Sequence, residues 1–156
     1  NDNALFELFS LETQSSGLSW LTVLKKRDGY RKAFENFSLE TVASYTQEDI
    51  NRIFESGLII KSRPKIEAII NNAKLFLEIK KEFASLDNYF WSKVNHKTII
   101  NDVLDYKMAC TTSEISETLA KDLKKRGFKF VGSVTIYSFM QASGMVNDHE
   151  NNCWCK

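Results

Sequence analysis

The chain is poor in the residues that break or staple a fold. It has one proline and six glycines in 156 residues, a composition that excludes a linker-rich or disordered protein and favours long regular elements. Three cysteines cannot close a disulfide framework: Cys110 stands alone, while Cys153 and Cys155 crowd the C-terminal end. The opening NDNALFELF carries no basic leader and no small-residue cleavage site, so an odd cysteine count points to a reducing, cytoplasmic setting. No stretch approaches the roughly 18 apolar residues of a membrane span, and none is expected. An excess of one charge is also missing. Twenty-one Lys and Arg against twenty Asp and Glu leave a formal net charge of +1. Any nucleic-acid surface must then be a local patch. Two basic clusters exist, Lys25, Lys26 and Arg27 in one place and Lys124, Lys125, Arg126 and Lys129 in another. Both also read as ordinary solvated helix faces.

What is present is helical periodicity. With 43% hydrophobic residues, the chain can fill one core, and a single domain over 1–156 is expected. Leu5, Phe6, Leu8, Phe9 and Leu11 predict a buried helix over 4–11, ended or bent by Gly17. Trp20, Leu21, Val23 and Leu24 predict another over 18–26, and Tyr30, Ala33, Phe34 and Phe37 one over 30–37. Thr46 and Asp49 have capping-box spacing ahead of Ile50, Ile53 and Phe54, and Gly57 stops that helix. Pro64 suits the first turn of a long helix carrying Ile66, Ile69, Ile70, Ala73, Leu77 and Ile79. A short aromatic element follows over 86–94, then a loop over 95–111 without a period. Glu114 and Glu117 open the next helix, Lys124, Lys125 and Arg126 close it, and Gly127 ends it, as a helix dipole favours. No alternation marks a strand, so the fold class is all-α, a compact helical bundle.

Four groups of residues carry chemistry. Gly127 to Gly132 join two helices, and the second starts near Ser133, where free backbone N–H groups suit an anion such as a DNA phosphate. Lys129 and the 124–126 run add attraction, although an ordinary αα-hairpin with a glycine cap has the same pattern. His149 and Cys153 are four residues apart and can face one point. Imidazole and thiolate both bind zinc, but a closed structural site usually takes four ligands, and Cys155, His96 and Cys110 are further donors of undetermined place. Glu12 stands in an apolar helix eight positions before Trp20. It is either a boundary residue or a carboxylate buried for a reason, and reading a base is such a reason: it accepts hydrogen bonds from an adenine edge and attracts a cation, while the indole stacks. Between them Gly17 and Leu18 read as a helix break or as a small apolar wedge for a DNA stack. Finally, Asp148 reads as a partner of its neighbour His149, or as a carboxylate that orients water or faces a sugar cation.

Four stretches together resemble one family. LETQSSGLSW holds Glu12, Gln14, Gly17, Leu18, Ser19 and Trp20, with Ser16 where alanine is common. GFKFVGSVTIYSFMQASGMVNDH spans the hairpin and its second helix. IIKSRPKIEAIINNA carries Ile60, Arg63, Lys65 and Ile66, and Phe90-Trp91-Ser92 with Val94-Asn95 adds a fourth element. The chain resembles the DNA-3-methyladenine glycosylase I family of helix-hairpin-helix DNA glycosylases along its whole length, most weakly over 100–115. The resemblance implies a bacterial, cytoplasmic, monomeric base-excision repair enzyme. It would hydrolyse the N-glycosidic bond of 3-methyladenine in alkylated double-stranded DNA, without strand cleavage, and leave an abasic site. It implies that Glu12 contacts the damaged base and carries catalysis, that Trp20 lines the pocket, and that Gly17, Leu18, Lys129, Gly132 and Ser133 face DNA. It implies a structural Zn2+ on His149 and Cys153, with two more ligands in an N-terminal segment of about two dozen residues that this sequence lacks, to complete the usual four. The alternative is a non-catalytic helical protein that binds DNA lesions; a helical protein-interaction module is a more distant one.

Overall fold

The computed structural model describes residues 1–101 and 111–148. His149 and Cys153, and with them Cys110 and Cys155, lie outside the described residues. Helix α1 (Asp2–Gln14) runs through the middle of the molecule. Leu5, Phe6, Phe9 and Leu11 are buried, and so are its polar residues Glu7, Ser10, Glu12, Thr13 and Gln14. A helix wrapped on every side belongs inside, and α1 touches α2, α4, α6, α7 and α9.

After α1 the chain turns into α2 (Trp20–Leu24). Ser19 caps this short helix, its hydroxyl accepting from the Thr22 N–H at 3.2 Å. Helix α3 (Arg27–Ala33) follows, then a 3₁₀ turn, Glu35–Phe37. The continuous helix expected over 30–37 is therefore broken. Glu35, Asn36 and Phe37 take φ of 50, 53 and 58°, and the turn lets Phe37 bury edge-on against Phe6, 5.6 Å between ring centroids. Packing overrides helix periodicity here.

Helices α4 (Leu39–Ala43) and α5 (Gln47–Glu55) come next. The Thr46/Asp49 capping box forms as expected, with the Thr46 N–H donating to Asp49 Oδ2 at 2.8 Å. Pro64 sits in the first turn of the long α6 (Arg63–Phe83). Helix α7 (Leu86–Trp91) runs into a 3₁₀ turn, Ser92–Val94. Helices α8 (Glu114–Lys125) and α9 (Ser133–Ala142) form the glycine-joined hairpin. The all-α expectation holds, with one addition: β1 (Ile99–Ile100) pairs in parallel with β2 (Val146–Asn147). Two residues a side are too few to leave an alternation in sequence. Among the described residues no helix is long and apolar enough to cross a membrane.

The core is one apolar cluster centred on aromatic rings. Phe9 meets Phe76 edge-on at 4.8 Å, Phe139 at 5.3 Å and Phe128 at 5.9 Å. Each such pair adds about 0.5–1.5 kcal/mol beyond the area it buries. Phe128 belongs to the α8–α9 joint, so these rings bolt the hairpin to α1 and α6. Two asparagines of α6, unremarkable in sequence, fix its backbone. Asn72 is buried and bonds both polar groups of Lys129, accepting from the N–H at 3.1 Å and donating to the carbonyl at 3.3 Å. Asn71 donates to the Gly127 carbonyl at 3.1 Å.

Candidate active site

The C-terminal part of α1, the start of α2, one face of α9 and the end of β2 enclose a cavity of about 410 Å³, lined by Glu12, Trp20, Ser138, Gln141, Ala142, Val146 and Asp148. Glu12 reaches it from a helix whose neighbours are all packed, and only 8% of the residue is exposed. No donor among the described residues bonds its carboxylate, and burial pushes its pKa up to about 7. A carboxylate that has lost much of its water and gained no donor is costly. The boundary-residue reading of Glu12 does not fit this burial.

Trp20 is 38% exposed and forms an open wall of the cavity. The expected buried face over 18–26 reduces to Val23: Leu18, Leu21 and Leu24 are exposed as well. A five-residue helix capped at its start needs only one inward side chain to seat it, and the rest are left outside. Gly17 takes φ +78°, a conformation in which a side chain would be strained. The Leu18 N–H closes the turn on the Ser15 carbonyl at 2.8 Å. The helix break is a left-handed turn that ends α1 and presents Leu18, 42% exposed, two residues before Trp20.

Asp148 forms the far wall. Tyr137 Oη and Gln141 Nε2 donate to Oδ2, the latter at 2.9 Å, and Asn101 Nδ2 donates to Oδ1. The strand pairing builds this wall, because the Asn101 N–H donates to the Asn147 carbonyl at 3.0 Å and so brings Asn101 beside Asp148. Sequence reasoning missed Ser138, Gln141, Tyr137 and Asn101. The first two were accessible as positions three apart on α9, facing away from the buried Ile136, Phe139 and Met140. Asn101 depends on a contact 47 residues away and left no local signal.

Helix α9 connects this cavity to the hairpin. Its cavity-lining residues lie in its last two turns, and its N-terminus, about 8–14 Å back along the helix axis, opens at Gly132 with no side-chain cap. Gly132 has an ordinary φ of −66°, and an added Cβ would meet nothing within 4 Å. Among the described residues nothing demands glycine there, unlike Gly127, where φ is +100°. Phe128 and Val131 point inward, and Lys129 is exposed.

The two basic clusters are smaller than their sequence suggests. Arg27 is taken up by Glu7, Nε to Oε1 at 2.7 Å. Arg126 pairs with Glu82 at 2.9 Å and Asp122 at 3.1 Å and lies over the Phe83 and Tyr89 rings. Lys25, Lys124, Lys125 and Lys129 remain exposed. Among the described residues no group of three or more His, Cys, Asp or Glu is gathered as metal ligands would be, and the exposed His96 stands apart.

Comparison with known proteins covers the whole chain. The profile of the methyladenine glycosylase family matches residues 1–156. A DNA-3-methyladenine glycosylase of Haemophilus influenzae is 48% identical over 152 residues, 97% of this chain and 82% of that protein. DNA-3-methyladenine glycosylase 1 of Escherichia coli is 45% identical over 151 residues, 97% of this chain and 81% of that protein. A crystal structure of 3-methyladenine DNA glycosylase I in complex with 3-methyladenine superposes with a TM-score of 0.96 at 40% identity, over 100% of this chain and 84% of that one. A further crystal structure of a 3-methyladenine DNA glycosylase I gives 0.95 at 44% identity, over 99% of this chain and 85% of that one.

Proposed function

The chain belongs to the methyladenine glycosylase family, and from that premise we propose that it is a monofunctional DNA glycosylase, which hydrolyses the N-glycosidic bond of 3-methyladenine in alkylated duplex DNA and leaves an abasic site. The observation that carries the reading is Glu12, a buried carboxylate without a donor, in a cavity shared with Trp20 and Asp148.

Methylation at ring nitrogen 3 makes the base cationic while it is still bound to deoxyribose. On cleavage the bonding pair moves to the base, which leaves neutral, and a water oxygen takes its place on the sugar carbon while releasing a proton. No acid is needed to assist departure. What remains is to flip the nucleotide out, hold it and favour the charges present as the bond breaks. Glu12 supplies the negative charge and acceptor oxygens for the adenine edge, and Trp20 the stacking face. Asp148, held as an acceptor by Tyr137, Gln141 and Asn101, adds a second acid to the cavity wall. Gly17 and Leu18 enter the gap in the stack. The uncapped N-terminus of α9 at Gly132 and Ser133, with Lys129 nearby, takes a backbone phosphate. We take the protein to act as a monomer, and double-stranded DNA as substrate supports the bacterial cytoplasm as its place.

The reading includes a structural zinc ion on His149 and Cys153. An imidazole and a thiolate suit that metal, and it would contribute folding stability by tying down the C-terminal end. With the N-terminal segment that supplies the other two ligands present, the expected result of His149→Ala is a joint fall in bound zinc and melting temperature, read by metal analysis and calorimetry; a metal-free wild-type protein carrying that segment would refute the assignment.

The direct test is to incubate the protein with alkylated duplex DNA and identify the released bases by chromatography. Free 3-methyladenine and abasic sites without strand nicks are expected. Tight binding to the alkylated DNA without base release would overturn the reading in favour of a non-catalytic lesion binder.

A further inference from the structure

Gln14, Tyr30 and Lys65 form a bonded group that recognition of the base does not use. The Lys65 ammonium donates to the Gln14 carbonyl at 2.8 Å and to the Ser16 carbonyl at 2.6 Å. Gln14 donates back through Nε2 to the Lys65 carbonyl at 3.0 Å, and its Oε1 accepts from Tyr30 Oη at 3.0 Å. Gln14 and Tyr30 are fully buried. The end of α1, the body of α3 and the first turn of α6 thus meet beneath the turn that carries Gly17 and Leu18.

One of the two carbonyls that Lys65 bonds, that of Gln14, is of a special kind. The last carbonyls of a helix have no intrahelical partner and carry its partial negative charge, so an ammonium there makes a charge-assisted cap. Local groups already close this end: the Ser15 hydroxyl donates to the Glu12 carbonyl at 2.7 Å, and the Leu18 N–H to that of Ser15. The Lys65 contact adds something those bonds lack. It reaches Ser16, the residue before Gly17, and anchors it to a second helix 49 residues away in sequence. That contact restrains the turn itself. A glycine turn with no such anchor would yield when pressed against a base stack, because glycine has more backbone freedom to lose than any other residue.

We propose that Lys65, locked in register by Gln14, is a positioning residue that holds the Gly17–Leu18 turn rigid, so that Leu18 displaces the damaged nucleotide from the duplex. This rests on the reading of Gly17 and Leu18 as the wedge. Glu12 and Trp20 bind the base once it is out; Lys65 acts before that, through the turn alone.

The test compares Lys65→Met, Lys65→Arg and Leu18→Ala with the wild-type protein by three readouts. These are single-turnover excision from a 3-methyladenine duplex, affinity for free 3-methyladenine, and fluorescence of 2-aminopurine placed beside an abasic-site analogue in duplex DNA, which rises when the stack opens. Lys65→Met is expected to slow duplex excision by about tenfold or more, the scale of a lost charge-assisted hydrogen bond. It should lower the fluorescence rise in parallel while leaving free-base affinity unchanged. Lys65→Arg should recover most of both. Leu18→Ala should follow Lys65→Met in all three. If Lys65→Met lowers base affinity and excision equally, or changes neither while Leu18→Ala impairs opening, Lys65 is an ordinary helix cap and the proposal fails with the wedge intact. If Leu18→Ala leaves opening and excision unchanged, the wedge reading fails and takes the proposal with it. Should the Met variant not fold, Lys65→Gln, a neutral donor, is judged by the same criteria.

Discussion

Glu7 and Glu12 lie five residues apart on α1, and the protein hides them equally, leaving 9% and 8% exposed. Their surroundings are opposite. Two guanidiniums converge on Glu7, Arg27 at 2.7 Å and Arg31 at 2.9 Å. Burial pushes its pKa up, but the hydrogen bonds from Arg31 and Arg27 outweigh that and hold it below the ordinary 4.5. Glu12 has burial alone, and its pKa climbs to about 7. The first carboxylate is finished within the fold and staples α3 to α1, fixing the path of the segment that carries Trp20. The second is left unfinished. Among the described residues the fold supplies two arginines near the middle of α1 and no donor near its C-terminal end; in the proposed reading that second acid is kept for a cationic base, which matches it in charge.

The comparison breaks most decisively at Glu12. Glu12→Gln keeps the shape and removes the charge, so excision of 3-methyladenine is expected to fall by about a hundredfold or more, the scale of one lost electrostatic contact at a reacting centre. Stability at neutral pH should not fall, because a costly buried charge has gone. Single-turnover kinetics and a melting curve read both, and an equal loss of both would make Glu12 structural. At Glu7 the reverse holds. Glu7→Gln should leave excision per folded molecule nearly unchanged and cost about 1–3 kcal/mol at pH 7, as charged hydrogen bonds are lost in a partly exposed pair. Denaturant unfolding measures it.

pH sharpens the contrast, since the two acids act with opposite sign. The folded-state pKa of Glu7 is lowered, so its stabilisation is complete above the unfolded value near 4.5 and is lost as pH falls through the folded value. The deficit of Glu7→Gln should therefore close in acid. The pKa of Glu12 is raised, so between 4.5 and about 7 the folded protein binds the extra proton and stability declines as pH rises. Glu12→Gln should remove that decline. In the wild-type protein kcat/KM for excision should rise with pH through about 7 as the free enzyme's Glu12 ionises. A profile flat through neutrality would show that the carboxylate charge is not what draws the base.

Much of this was legible along the chain. The helices with strong local signals stand where periodicity and caps put them, as at Thr46 with Asp49, Pro64 in α6 and Gly127 after α8. Glu12 and Trp20 were readable as an acid and an aromatic near one glycine turn, and they do share a cavity. The break at Glu35–Phe37 was not readable, because burying Phe37 against Phe6 decides it and the residues themselves fit a helix. Arg27 and Arg126 looked like members of basic patches; their partners Glu7 and Glu82 lie 20 and 44 residues away.

The amino-acid sequence by itself determined most of the helical segments, where the hairpin joint falls and which acid stands beside which indole, since these depend on residues within a turn or two of one another. Only the tertiary structure decided which charges are spent. It gave Glu7 two arginines and Glu12 none, put Asp148 across the cavity through a strand pair two residues long, and brought Lys65 under the turn before Gly17. The reason is physical: helix propensity and capping are settled locally, whereas the ionisation of a buried group depends on whichever distant side chains the packed core sets against it.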